Sequence, residues 1–281
     1  VKTLPALPAS VRTLTEDEIE RLRKTRTLPA SPEDCPTCHG RKTFRWWEKD
    51  RGILPQDRVA VDYVCSCVDQ FLLHRYLMNS GLEMAAARHR WADLTALSPE
   101  VMAPLLEYLN DIEFFMLQGT GLFLHGMNGA GKSMFASLLA KRVLQLGSYT
   151  VRYVRFTELL DHYRSSWRDN EQREWFEGSM RNAHLLVLDD MGKEYDGVLR
   201  VAMSAVDTII RFRTQNSMPT IVTTNLDRDD FQTRYAKSVN ELVTEACRVS
   251  EFIIDSSWRA SARNRKEIEY AQRVTVPITF G

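Results

Sequence analysis

Gly126-Met127-Asn128-Gly129-Ala130-Gly131-Lys132-Ser133 matches the spacing G-x-x-x-x-G-K-[ST]. Glycines at this spacing let a loop curl until successive backbone N–H groups face one anion. Lys132–Leu146 has helical periodicity, so the loop opens a helix whose dipole and free N–H groups also favour phosphate. The expected nucleotide contacts are Asn128, Gly129, Ala130, Gly131, Lys132, Ser133 and Met134. Lys132 offers a mobile charge to the β and γ phosphates, and the Ser133 hydroxyl a ligand for Mg²⁺. Downstream, Leu185-Leu186-Val187-Leu188 runs into Asp189-Asp190. Asp189 is expected to hold magnesium through water, and Asp190 to polarise an attacking water. Thr220-Ile221-Val222-Thr223-Thr224-Asn225 ends a further strand-like run. There Asn225, ahead of Thr224, is positioned to orient the water or the γ-phosphate. The candidate catalytic set is Lys132, Asp190 and Asn225, and the implied ligands are ATP and Mg²⁺.

A second constellation is metallic. Cys35-Pro36-Thr37-Cys38 and Cys65-Ser66-Cys67 give C-x₂-C, 26 residues, then C-x-C. Four thiolates can close a tetrahedral Zn²⁺ site without water, which is a structural role. A segment this small has little core of its own, so metal binding would couple to folding. His39 is adjacent, and its replacing one cysteine as ligand stays open. The insert carries Arg41, Lys42, Phe44, Arg45, Trp46, Trp47, Lys49 and Arg51. Such a mixture either grips single-stranded nucleic acid or packs on the metal site or a protein partner. Cys247 stands alone and is expected to be a buried small hydrophobe. His74, His89, His125, His162 and His184 show no ligand spacing and are read as structural.

The elements that must position these residues follow from periodicity. Strands are expected at Gly121–His125, Thr150–Arg155, Ala183–Leu188 and Pro219–Thr223. Helices are expected at Lys132–Leu146, Glu158–Ser165 and Val198–Arg213, with others near 68–80 and 104–116. Thr15 and Glu18 form a capping box for an N-terminal helix, either simply exposed or a docking element. Repeated strand–helix units imply an α/β domain with a parallel sheet and flanking helices. The chain divides into an N-terminal zinc-binding region at 1–80, linker helices at 81–117 and the nucleotide domain at 118–281. The 281 residues carry 37 basic and 37 acidic side chains, so no global charge draws the chain to nucleic acid or an anionic membrane. A hydrophobic share of 44% excludes a wholly disordered chain. No apolar run is long enough for a membrane span, and Val1–Ser10 lacks the apolar core of a signal peptide. A cytoplasmic protein with reduced cysteines is expected.

The phosphate loop, the doubled aspartate of Leu188-Asp189-Asp190-Met191-Gly192 and the strand ending Thr223-Thr224-Asn225 resemble the AAA+ ATPases of the DnaC/DnaI helicase-loader and IstB group. Phe156-Thr157-Glu158-Leu159-Leu160, Glu245-Ala246-Cys247 and Trp258-Arg259 resemble further segments of that group, so the likeness spans about Arg88 to Arg259. The resemblance implies an AAA+ P-loop ATPase domain that binds ATP, hydrolyses it slowly and self-associates. It implies delivery of a DnaB-type replicative helicase hexamer onto single-stranded DNA. Arg259 would be a sensor-2-like arginine on the nucleotide. An N-terminal zinc module occurs in DnaI-like loaders, which favours a loader over an IstB-type transposition helper acting on duplex DNA. One departure stands out. The arginine that the group is thought to extend into a neighbour's ATP site is Leu242 here. Arg234 or Arg248 would have to substitute, or the contact is absent and the protein holds nucleotide with little turnover.

Overall fold

The computed structural model describes residues 43–49, 58–64, 77–94, 98–146 and 149–252. Strands β1 (Thr43–Lys49) and β2 (Arg58–Val64) pair antiparallel, with Thr43 opposite Val64 and Lys49 opposite Arg58. Cys35, Cys38, His39, Cys65, Cys67, Arg259 and the helix expected after Thr15 lie outside the described residues.

A larger sheet is built on β3 (Gly121–Gly126), β4 (Val151–Arg155), β5 (Leu185–Met191), β6 (Thr220–Thr224) and β7 (Cys247–Phe252). They lie in the order β4-β5-β6-β3-β7, and every pairing is parallel. Successive strand residues face opposite sides. Leu122, Leu124, Leu185, Val187 and Ile221 therefore join one core cluster, and Phe123, Leu186, Leu188 and Val222 the other. Helices α1 (Met84–Ala87), α2 (Pro99–Asn110), α3 (Ile112–Gln118) and α4 (Lys132–Gln145) contribute to the first. Helices α5 (Phe156–Ser165), α6 (Asn170–Phe176), α7 (Leu199–Gln215) and α8 (Arg228–Ala246) contribute to the second. Both α7 and α8 bury one stripe at helical spacing: Ala202, Ala205, Val206, Ile209 and Ile210 on α7, Phe231, Tyr235, Val239, Leu242 and Val243 on α8. The result is a three-layer α/β/α domain. Among the described residues, no helix is long and apolar enough to cross a membrane.

Three elements differ from the sequence reading. The helix expected near 104–116 is two helices, broken at Asp111 (φ −109°, ψ 29°). Pro104 sits inside α2, past its first turn, and forgoes the bond its N–H would have made to the Glu100 carbonyl. The strand expected to stop at Leu188 continues to Met191, with an irregularity between Leu188 and Met191. The strand β7, which sequence patterning misses, pairs along the whole of β3.

Two close contacts hold the sheet together. Arg213, at the end of α7, is fully buried. Its guanidinium donates to the carbonyls of Met180 (3.3 Å), Arg181 (2.9 Å), Ala183 (2.7 Å), His184 (3.3 Å) and Pro219 (2.7 Å), and to Thr220 Oγ1 (2.9 Å). Burial pulls its pKa down to about 9, which still leaves it charged near neutrality. At Gly121, an added Cβ would lie 1.7 Å from the Thr220 carbonyl oxygen. Gly121→Ala must therefore push β3 from β6. A loss of about 3 kcal/mol is expected in urea melts, in the range for overpacked cores.

Candidate nucleotide site

Three strands of the sheet end around one cavity. The phosphate loop leaves β3 at Gly126 and enters α4 at Lys132. Gly131, the residue before the helix, has φ +93°, a left-handed conformation that a side chain resists. No side chain caps α4. Its first N–H groups are thus left for a ligand rather than for a serine or aspartate of the chain. The cavity, about 310 Å³, is lined by Asn128, Gly129, Ala130, Gly131, Lys132, Ser133 and Met134, together with Asp190, Lys193, Asn225 and His89. That volume lies at the small end of ligand pockets. Lys132 is buried, and its ammonium donates to the carbonyls of Gly126 and Met127, both at 2.8 Å.

The twin acids are held by a residue that sequence reasoning passed over. Thr223 Oγ1 donates to Asp189 Oδ1 at 2.6 Å and accepts from the Asp190 N–H at 2.9 Å. One hydroxyl on β6 thus holds the Asp189 carboxylate and the backbone of Asp190 on β5. Asp190 has φ +60°, a conformation rare outside glycine and one that aspartate tolerates best. Backbone outliers of this kind recur at functional sites. The turn aims the Asp190 side chain into the cavity while Asp189 stays buried in the strand. Asn225 Nδ2 reaches Asp190 Oδ1 at 3.4 Å, from the strand lying between β5 and β3. Tyr153 on β4 packs behind Ser133, with its hydroxyl 3.5 Å from the Ser133 carbonyl. Burial first, then the charge and hydrogen bond of Asp189, hold its pKa well above the ordinary phenol value, so it remains a donor. Of the two residues expected to hold magnesium, Ser133 lines the cavity, whereas Asp189 is buried in the strand beside it and bonded to Thr223.

Other expectations fall in different places. His89, read as structural, lines the cavity and has Nδ1 2.9 Å from Ser137 Oγ. Lys141 fixes that segment from below, donating to the carbonyls of Ala87 (3.1 Å) and His89. Thr224 serves the backbone, donating to the Met191 carbonyl at 2.7 Å. Cys247 is buried, and burial pushes its thiol up to about 12. Leu242 is a core residue of α8. Arg234 is bound to Glu194 and Asp196, each at 3.0 Å, and Arg248 to both carboxylate oxygens of Glu107 at 3.2 Å. Among the described residues there is no cluster of three or more metal-binding side chains.

Five parallel strands, helices on both faces and a phosphate loop between β3 and α4 match the AAA+ P-loop ATPase fold. The chain is similar in structure to the replication initiator DnaA bound to AMPPCP and single-stranded DNA, with a TM-score of 0.52 and 14% identity over 68% of this chain and 56% of that one. It is also similar to the DnaC helicase loader, with a TM-score of 0.46 and 22% identity over 58% of this chain and 98% of that one. A third similar structure is DnaI, with a TM-score of 0.49 and 20% identity over 61% of this chain and 94% of that one. At these identities the likeness is one of fold. No protein-family model matches the chain, and no curated protein matches it in sequence.

Proposed function

We propose that this protein is an ATP-dependent helicase loader, which binds a hexameric replicative helicase and delivers it onto single-stranded DNA. The observation that carries the ATPase half is the convergence of Lys132, Ser133, Asp190 and Asn225 on one cavity, with Asp189 and Asp190 tied to the same threonine. The doubled aspartate beside a phosphate loop is the sequence feature shared with the DnaC/DnaI group. Residues 118–281 form the ATPase domain, which self-associates, and 81–117 link it to an N-terminal region at 1–80 that docks the helicase.

A structural zinc in that N-terminal region is supported by the hairpin register. Thr43 pairs with Val64. Cys38 precedes Thr43 by five residues and Cys65 directly follows Val64, so the cysteine pairs flank one end of the hairpin in sequence. Cys35, Cys38, Cys65 and Cys67 would hold the metal. Arg259 would contact the nucleotide.

In the reaction, water adds to the γ-phosphorus and the bond to the bridging oxygen breaks. ADP leaves with the electron pair, and the water's proton passes through Asp190 to solvent. Asn225 orients the water and Lys132 stabilises charge on the leaving phosphates. Asp190→Asn keeps the shape of the site but removes the proton acceptor. It is expected to bind ATP as wild type does and to release phosphate at least about 100-fold more slowly. Retained hydrolysis would reassign the role. The loader reading itself is tested by mixing the full chain with hexameric replicative helicase, ATP and single-stranded DNA. An ATP-dependent ternary complex is expected. Indifference to helicase combined with ATP-dependent assembly on duplex DNA would instead mark a transposition helper.

A further inference from the structure

One cation in the cavity has no role in the scheme above. Lys193 lines it alongside Lys132, Ser133, Asp190 and Asn225. Its ammonium lies 2.7 Å from Asp190 Oδ2, while Asn225 faces the other oxygen of the same carboxylate. In this form Asp190 has both oxygens engaged and is poorly placed to accept a proton from water. The backbone on either side of Lys193 is pinned. Gly192 N–H donates to Glu194 Oε2 at 3.0 Å, and the buried Glu194 carboxylate also accepts from Arg234 Nε at 3.0 Å and from the Tyr235 hydroxyl. What can move is the Lys193 side chain itself, 46% exposed at the cavity mouth.

We propose that Lys193 is a γ-phosphate ligand supplied by this chain, which leaves Asp190 for the terminal phosphate when ATP enters. The inference rests on the nucleotide reading given above. A γ-phosphate carries more negative charge than one carboxylate, so at similar distance it outcompetes Asp190 for the ammonium. The transfer does two things at once. It places a second positive charge where the transferred phosphoryl group gathers negative charge. It also frees Asp190 Oδ2 for the attacking water. With ADP the terminal position is vacant and Lys193 returns to Asp190, so the site distinguishes the two nucleotides. Two other basic side chains are committed elsewhere: Arg234 to Glu194 and Asp196, Arg248 to Glu107.

The test compares wild type, Lys193→Met and Lys193→Arg in the full chain. Titrations use magnesium with either ADP or a non-hydrolysable ATP analogue, and turnover is followed by phosphate release. Lys193→Met is expected to weaken analogue binding about tenfold while leaving ADP binding unchanged, as for loss of one charge-assisted hydrogen bond. Turnover should fall about tenfold or more, and Lys193→Arg should restore most of both. Equal shifts for the two nucleotides, or no shift, would overturn the inference. Faster turnover in Lys193→Met would show a brake rather than a phosphate ligand and would overturn it too. A wild-type protein that binds no ATP would overturn the nucleotide reading itself, a result distinct from an unchanged ATP-to-ADP ratio in the variant.

Discussion

Lys132→Ala is expected to abolish ATP binding, with affinity falling by about 100-fold or more, while the empty protein melts within a few degrees of wild type. The ammonium is buried and now rests on the Gly126 and Met127 carbonyls. A buried unit charge interacts with phosphate more strongly than one at the surface. Its removal leaves the loop's N–H groups to hold a triphosphate without a compensating cation. The two carbonyls it abandons belong to a loop whose Met127 is exposed, so water can replace it there and stability changes little. Isothermal titration with ATP and magnesium decides the matter. Wild-type affinity in Lys132→Ala would remove this cavity as the nucleotide site.

Arg213→Met should cost about 5 kcal/mol, the largest stability loss expected from a single change outside the nucleotide cavity. Methionine can fill much of the volume, so the effect isolates the guanidinium. Five carbonyls and the Thr220 hydroxyl would lose the guanidinium donor, most of them in buried positions, while the Pro219 carbonyl keeps a second donor, the Leu186 N–H. Those carbonyls belong to the approaches to β5 and β6, the two strands that carry Asp189, Asp190 and Asn225 toward the cavity. For a domain of this size the melting temperature should drop by about 10 °C or more. Arg213→Lys can restore only part of the fan, since an ammonium has three donors. A loss under about 1 kcal/mol in Arg213→Met would show that the strands hold their places without it.

The part of the site made by spacing was legible in the sequence. A phosphate loop needs glycines and a lysine at set intervals, and a buried parallel strand needs an uninterrupted apolar run, so β3, β5 and β6 and the residues at their ends could be placed. Thr223 was not legible as the link between the acids, because a threonine within a strand is by default a β-branched filler. Lys193 reads as an ordinary surface lysine until the turn at Asp190 brings the two together. The strand β7 was hidden for two reasons. It follows α8 with no turn residue between Ala246 and Cys247, and Arg248, Ser250 and Glu251 break its apolar pattern. Arg213 ends a helix, where a basic residue is normally a solvated partner of the dipole, and only the packed structure turns it inward.

The position of β7 has a mechanical consequence. Its last residue, Phe252, touches the first residue of the phosphate loop so closely that a Cβ on Gly126 would come within 2.5 Å of the Phe252 carbonyl oxygen. The end of β7 is thus held against the start of the phosphate loop. A shift at the end of β7 is therefore felt at the start of the phosphate loop, and a loop stiffened by a ligand would resist it in return.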